Sequence, residues 1–304
     1  MRSLLWMMMV VGITGCTSSS DKQASETSER IMFAVTSYPL LVMAEQLAGE
    51  AADVELVTNG STTSPDGRPD SDSIRTMQRA TRILISGGDY EPWLQRVTLP
   101  RSRLIDTAQG YYDQFVRIPD AVIHQHGPEG GHSHPGVVWA TWLDPQLVTS
   151  QLDQTRDVLL DVLPDSEAAI RQAADRLADE FRRLDERVEE IMAETSEVGI
   201  TVLGDAPVYQ YLTQRLGWEL NYVHLPVRGP LSDEDRRTLE KAMAERQPTL
   251  VFVRSTLADE LADLRGNSEV PFAVIDLCET DDDARTLVQR MAQNLDVIHR
   301  SVIR

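Results

Sequence analysis

Residues 165–193 read DSEAAIRQAADRLADEFRRLDERVEEIMA. Ile170, Ala173, Leu177, Phe181, Leu184, Val188 and Ile191 recur at intervals of three and four, which is the spacing of one helix face. The residues between them are largely charged. The stretch predicts a single helix from Asp165 or Ser166, about 28 residues and roughly 40 Å long at 1.5 Å per residue. Such a helix can run along two lobes. The alternative is a coiled-coil segment for dimerisation, for which about three to four heptads suffice. A second helix precedes it: Asp144-Pro145 caps and starts it, Leu147, Leu152, Val158, Leu159 and Val162 follow, and Pro164 ends it.

On the N-terminal side, strands and helices alternate. Residues 31–35 form a short apolar strand, Pro39 starts a helix stopped by Gly49, and residues 54–57 make the next strand. A polar stretch, 59–71, leads to a helix through Ile74, Met77 and Ala80. Strands follow at 82–86 and 104–106. On the C-terminal side the same logic repeats, with strands at 199–203, 220–225, 250–253 and 270–277. Helices run from Val208 to Gly217, from the cap Ser232 to Arg246, and through Leu287, Met291 and Leu295. Alternation at this spacing indicates an α/β fold of two lobes, each a mainly parallel sheet flanked by helices. The expected boundaries are an N-terminal lobe at 31–143, linking helices at 144–194 and a C-terminal lobe at 195–304. Asp276 ends its strand, where open α/β sheets place ligand residues.

The chain begins Met1-Arg2-Ser3, runs apolar from Leu4 to Ile13, and continues Thr14-Gly15-Cys16. A positive start, a short apolar run and small residues describe a secretory signal over 1–15. Ile13-Thr14-Gly15-Cys16 resembles the bacterial lipobox, which makes Cys16 the lipidated residue and 16–30 a flexible tether. The alternative is an ordinary cleaved signal. Cys278 is the only other cysteine, so no intramolecular disulfide is expected. The net charge of −19 argues against nucleic acid as a partner and suits an exported protein.

Four of six histidines, His124, His126, His132 and His134, fall within residues 124–134. Neutral imidazole is a good ligand for zinc and its neighbours. Successive side chains of an extended strand point to opposite sides, so a His-x-His pair needs a bent loop to share one ion. Gly127, Gly130 and Gly131 supply the bend, and Glu129 adds an oxygen. The bland alternative is a solvated polar loop. An enzymatic reading finds no His-Glu-x-x-His, no Gly-x-Ser-x-Gly and no phosphate-cradling glycine loop. Cys278 reads as a core thiol rather than a nucleophile. His224 and His299 are not expected ligands. Trp93 and Trp142 read as packing, and Asp144 as a helix cap.

Two α/β lobes on one long helix, behind a lipoprotein-type signal, resemble the zinc/manganese metal-binding proteins of ABC transporters. The resemblance runs over residues 31–298. It rests on the order of residues 36–39 (TSYP), 87–94 (GGDYEPWL), 142–145 (WLDP), 207–212 (PVYQYL) and 274–276 (VID), and on a His-rich loop before 142–145. It implies an extracytoplasmic, lipid-anchored monomer that captures a divalent cation, Zn2+ before Mn2+, and hands it to a permease.

The family's usual site has three histidines and one carboxylate. Here the first would fall near Pro65, the second at Ala140 and the third at Ala206. Asp276 alone matches. Two readings follow: a rebuilt site in which the loop histidines meet Asp276, with Asp205 or Glu279 beside it, or a degenerate paralogue acting as a scavenger or a binding module.

Overall fold

Met32–Val35 (β1) is flanked by Asp53–Leu56 (β2) and Arg82–Ile85 (β3), and Leu104–Asp106 (β4) pairs with β3, giving a parallel sheet of order β2-β1-β3-β4. The second sheet repeats the order. Thr201–Gly204 (β5) lies between Glu219–Tyr222 (β6) and Leu250–Arg254 (β7), and Phe272–Ile275 (β8) pairs with β7, again all parallel. These coordinates are a computed structural model that describes residues 30–57, 69–118, 136–227, 230–280 and 285–303. The expected α/β architecture is therefore present. The expectations for 1–29, including the signal and Cys16, lie outside the described residues, as do the region of Pro65 and the four loop histidines.

Between the sheets run Pro145–Val162 (α3) and Glu167–Thr195 (α4), the latter 29 residues long. Asp144 caps α3 by accepting from Gln146 N at 2.8 Å, with Pro145 in the first turn, where its missing N–H leaves nothing unpaired. The apolar stripe of α4 is buried from Ile170 to Ile191. It packs on α3, on Tyr38–Ala48 (α1), on Gln210–Leu216 (α5) and on Leu287–Val302 (α8). With that stripe covered inside the chain, α4 keeps no apolar seam for a coiled coil. Its outer face carries ion pairs one turn apart, such as Arg171–Glu167 and Arg182–Glu186.

One apolar cluster joins Phe33, Val35 and Leu84 of the first sheet to Phe181 and Val188 of α4 and to Val202, Phe252 and Ile275 of the second. The remaining helices are Ser71–Arg79 (α2), Asp233–Arg246 (α6) and Ala262–Asn267 (α7). The sequence reading did not contain α7.

Four strands end earlier than expected, β2 and β3 by one residue, β6 by three and β8 by two. β6 stops at Tyr222 because β5 ends at Gly204; beyond it Val223 N and Leu225 N bond to the carbonyls of Gly204 and Asp205 outside a ladder. β8 stops at Ile275 because the Asp276 backbone bonds to a side chain of α8 instead of a strand.

Candidate metal centre

Both sheets reverse strand order beside their first strand, and open parallel sheets bind ligands outside the carboxyl ends of strands at that point. In the first sheet the place is held by Thr36, Ser37, Ser86 and Gly87. Glu91, buried, accepts from Thr36 Oγ1 at 2.5 Å, Ser86 N at 2.7 Å and Gly87 N at 3.1 Å. Burial pushes this carboxyl up to about 7, against the pull of those donors. Gly87 and Gly88 take φ of +72° and +61°, which glycine adopts without a Cβ penalty.

Beside this turn lies a groove of about 570 Å³, whose wall includes Asp89, Glu91, Asp106, Tyr112, Phe115 and Arg117. Its far wall is the pair Arg117 and Val137, joined by an antiparallel bridge, with Ile118 N bonded to Gly136 O at 2.9 Å. Arg117 and Val137, which flank the sequence of the histidine-rich segment, thus both line this groove.

In the second sheet the equivalent place holds Asp205 and Asp276, and both are already engaged. Asp205 is fully buried. Its Oδ1 accepts from Tyr209 at 2.7 Å, and its Oδ2 accepts from Arg254 Nε at 2.9 Å and Arg254 N at 3.2 Å. Burial works against the Arg254 charge, yet the neighbouring Asp205 holds the guanidinium above its ordinary value.

Asp276 meets α8. Its Oδ1 accepts from Arg290 Nη2 at 2.6 Å and Cys278 N at 2.8 Å; its Oδ2 accepts from Arg290 Nε at 2.6 Å. Its backbone N–H and carbonyl bond to the Asn294 amide at 2.9 and 2.7 Å. Arg290 and Asn294 are four residues apart and lie on one helix face.

The sequence reading missed Arg254, Arg290 and Asn294. The available signal was a polar pair on the buried face of α8, among Leu287, Met291, Leu295 and Ile298.

Ala140 and Ala206, where the resemblance would put histidines, belong to the shared apolar cluster. Trp142 crosses between the lobes, donating Nε1 to Leu277 O at 2.8 Å and stacking edge-on with Tyr90. Trp93 is buried, also as packing. Cys278 is buried, and desolvation drives its thiol far up, as a core thiol requires. His299 bonds to Glu194 and Arg187, and His224 lies against Tyr222. Among the described residues no group of three His, Cys, Asp or Glu is placed to hold a metal.

Residues 34–301 match the family described as "Zinc-uptake complex component A periplasmic". The chain belongs to this family. Its relatives include the zinc-binding lipoprotein AdcA of Streptococcus pneumoniae, 24% identical over 187 residues, or 59% of this chain and 36% of AdcA. The chain therefore matches about a third of that relative's length. The iron-binding protein YfeA of Yersinia pestis is 20% identical over 257 residues, 80% of this chain and 75% of YfeA.

The fold agrees with solved structures of the same kind. The metal-dependent lipoprotein YcdH of Bacillus subtilis superimposes with a TM-score of 0.71 at 15% identity, covering 90% of this chain and 99% of YcdH. Zn(II)-bound AdcA of Streptococcus pneumoniae gives 0.72 at 16% identity, covering 90% and 58%. As a zinc-uptake component A chain, the protein carries the family fold with arginines beside its cleft carboxylates.

Proposed function

We propose that this chain is an extracytoplasmic lipoprotein, anchored through Cys16, that captures Zn2+ and delivers it to an ABC permease. Its match to the zinc-uptake family over residues 34–301 carries this reading. The names of its relatives, a zinc-binding lipoprotein among them, support the metal. No helix among the described residues is long and apolar enough to cross a membrane. The nitrogen donors are His124, His126, His132 and His134, rooted beside a groove that carries Asp89, Glu91 and Asp106. Imidazole donors favour Zn2+ over Mn2+.

A titration of the purified protein with Zn2+ and Mn2+ tests this. A single Zn2+ site with a dissociation constant on the order of nanomolar is expected. Replacing all four loop histidines by alanine is expected to abolish the zinc-induced rise in melting temperature. Binding no tighter than about micromolar ends the transport reading.

A second reading, a degenerate paralogue acting as a scavenger or as a binding module for another ligand, draws on two observations. Asp205 and Asp276 already face arginines, and Ala140 and Ala206 lie in the apolar cluster. Zn2+ binding no tighter than about micromolar, with no binding of a purified permease, is the result that would favour it.

A further inference from the structure

Where the second sheet ends, the place at which an open parallel sheet offers itself to a ligand, the chain already holds two fixed positive charges. Arg254 and Arg290 are both nearly fully buried, and each faces a carboxylate at the carboxyl end of the second sheet. Arg290 does more than neutralise Asp276. It also donates to Thr280 O, and its guanidinium sits 5.4 Å from the centre of the Tyr38 ring, the first residue of α1 in the other lobe. Within one turn of Asp276, Leu277 O receives Trp142 from the first lobe. Segment 276–280 is thus fastened on one side by α8 and on the other by residues of the opposite lobe.

Cys278 takes φ of +56°, a conformation that L residues rarely adopt, and its N–H caps the Asp276 carboxylate at 2.8 Å. Every polar atom of Asp276 therefore has a partner within the chain, its four hydrogen-bonding groups being N–H, C=O, Oδ1 and Oδ2.

We infer that Arg290, seconded by Arg254, is a built-in cation: it holds the lobes together at Asp276 and keeps a divalent metal off the C-terminal side of the cleft. A divalent ion reaching Asp276 has to displace a guanidinium hydrogen-bonded at 2.6 Å to both carboxylate oxygens. Among the described residues the displaced charge would keep only the Thr280 carbonyl and the Tyr38 ring face, which weakens metal binding there by roughly two to three orders of magnitude. The closed arrangement is then independent of metal, and capture is left to donors elsewhere. The point rests on the family's fold but not on zinc capture succeeding.

Two measurements on the full chain decide it. In EDTA, Asp276→Asn is expected to lower the melting temperature by about 5–10 °C, because it strands Arg290. Adding Arg290→Met to that variant is expected to recover at least half of the loss, since both partners are then gone. If Asp276→Asn does not fold, Arg290→Lys replaces it; keeping the charge but losing the two-point contact, it is expected to show a smaller fall. In parallel, Zn2+ titration of Asp276→Asn is expected to give a dissociation constant within about threefold of the native chain (0.65 kcal/mol).

A tenfold or greater loss of zinc affinity in Asp276→Asn would make Asp276 a ligand and overturn the inference. A double variant less stable than the single one would overturn it as well. If the native chain binds no zinc, the proposed function fails, while the stability comparison still reads the clasp.

Discussion

Asp205→Asn is the sharpest perturbation of this cleft, because both partners of the pair are out of water. The Asp205 side chain is 0% exposed and that of Arg254 is 4%. The substitution keeps the shape and removes the charge. Asparagine offers one oxygen in place of two. Turned toward Arg254 it still accepts from the backbone N–H and Nε, but as a neutral group, so Tyr209 loses its oxygen acceptor and the guanidinium loses the facing charge while keeping the carbonyls of Leu225 and Pro226 at 2.9 and 3.2 Å. Breaking one side of a buried ion pair costs about 3–5 kcal/mol. A chain of this size loses about 2–4 °C of melting temperature per kcal/mol, so the expected fall is roughly 6–20 °C.

Thermal unfolding followed by circular dichroism in EDTA reads it. Asp205→Asn combined with Arg254→Met is expected to melt well above the single variant, because the stranded charge is gone. Added Zn2+ is expected to leave the difference between native and Asp205→Asn chains unchanged. A fall below about 1 kcal/mol, or a difference that disappears when zinc is removed, would refute the assignment of Asp205 to a structural ion pair.

Glu91 gives a pH dependence. Its folded value is raised to about 7, so the folded chain holds a proton that the unfolded chain releases near 4.5. The stability due to this proton is present below about 4.5 and is lost as pH rises through about 7. The melting temperature of the native chain relative to Glu91→Gln is therefore expected to decline across that window, and a rising difference would mean the three donors outweigh burial. Cys278 is expected to resist a disulfide-exchange reagent in the folded chain and to react fully in denaturant, since it is buried with a raised thiol pKa; fast labelling of the native chain would contradict this. Gly87→Ala places a Cβ against the Asp106 carboxylate and Ala108 at φ +72°, and is expected to destabilise by about 2 kcal/mol or more in a chemical unfolding curve.

Much of the fold was legible because period and punctuation agreed. The stripe of α4 gave its extent to within two residues, and Asp144-Pro145 and Ser232 marked the starts of α3 and α6. The strand ends were less legible, because a strand stops where its partner stops, and that is a property of the sheet. Val223 and Leu225 keep the alternating apolar pattern after β5 has ended, so the sequence shows no boundary there. At the site, the resemblance drew attention to Asp276 as a carboxylate that matched, and a match in type says nothing of what faces it. Arg290 lies 14 residues further on, beyond the helix cap Thr286. Only packing α8 on the end of β8 makes it a neighbour. The helix did carry the clue: Arg290 and Asn294 interrupt an otherwise apolar face, and buried polar groups of that kind require partners.

The two arginines also bear on how this chain would hold a metal. Each cancels one carboxylate, so neither Asp205 nor Asp276 offers a dication an uncompensated charge. The overall −19 is a surface property, screened over about 8 Å at physiological salt. With those two carboxylates taken, the cluster of neutral donors in the sequence is the histidines at 124, 126, 132 and 134. Imidazoles bind metal only when unprotonated, with an ordinary pKa of about 6.5. Zinc affinity is therefore expected to fall steeply between about pH 7 and pH 6, by more than tenfold if two or more imidazoles must each release a proton. A carboxylate-led site would hold its metal down to about pH 5, because carboxylates ionise near 4. Titrations at these pH values separate the two, and a flat profile from pH 7 to 6 would return the metal to carboxylates and remove the loop from the site.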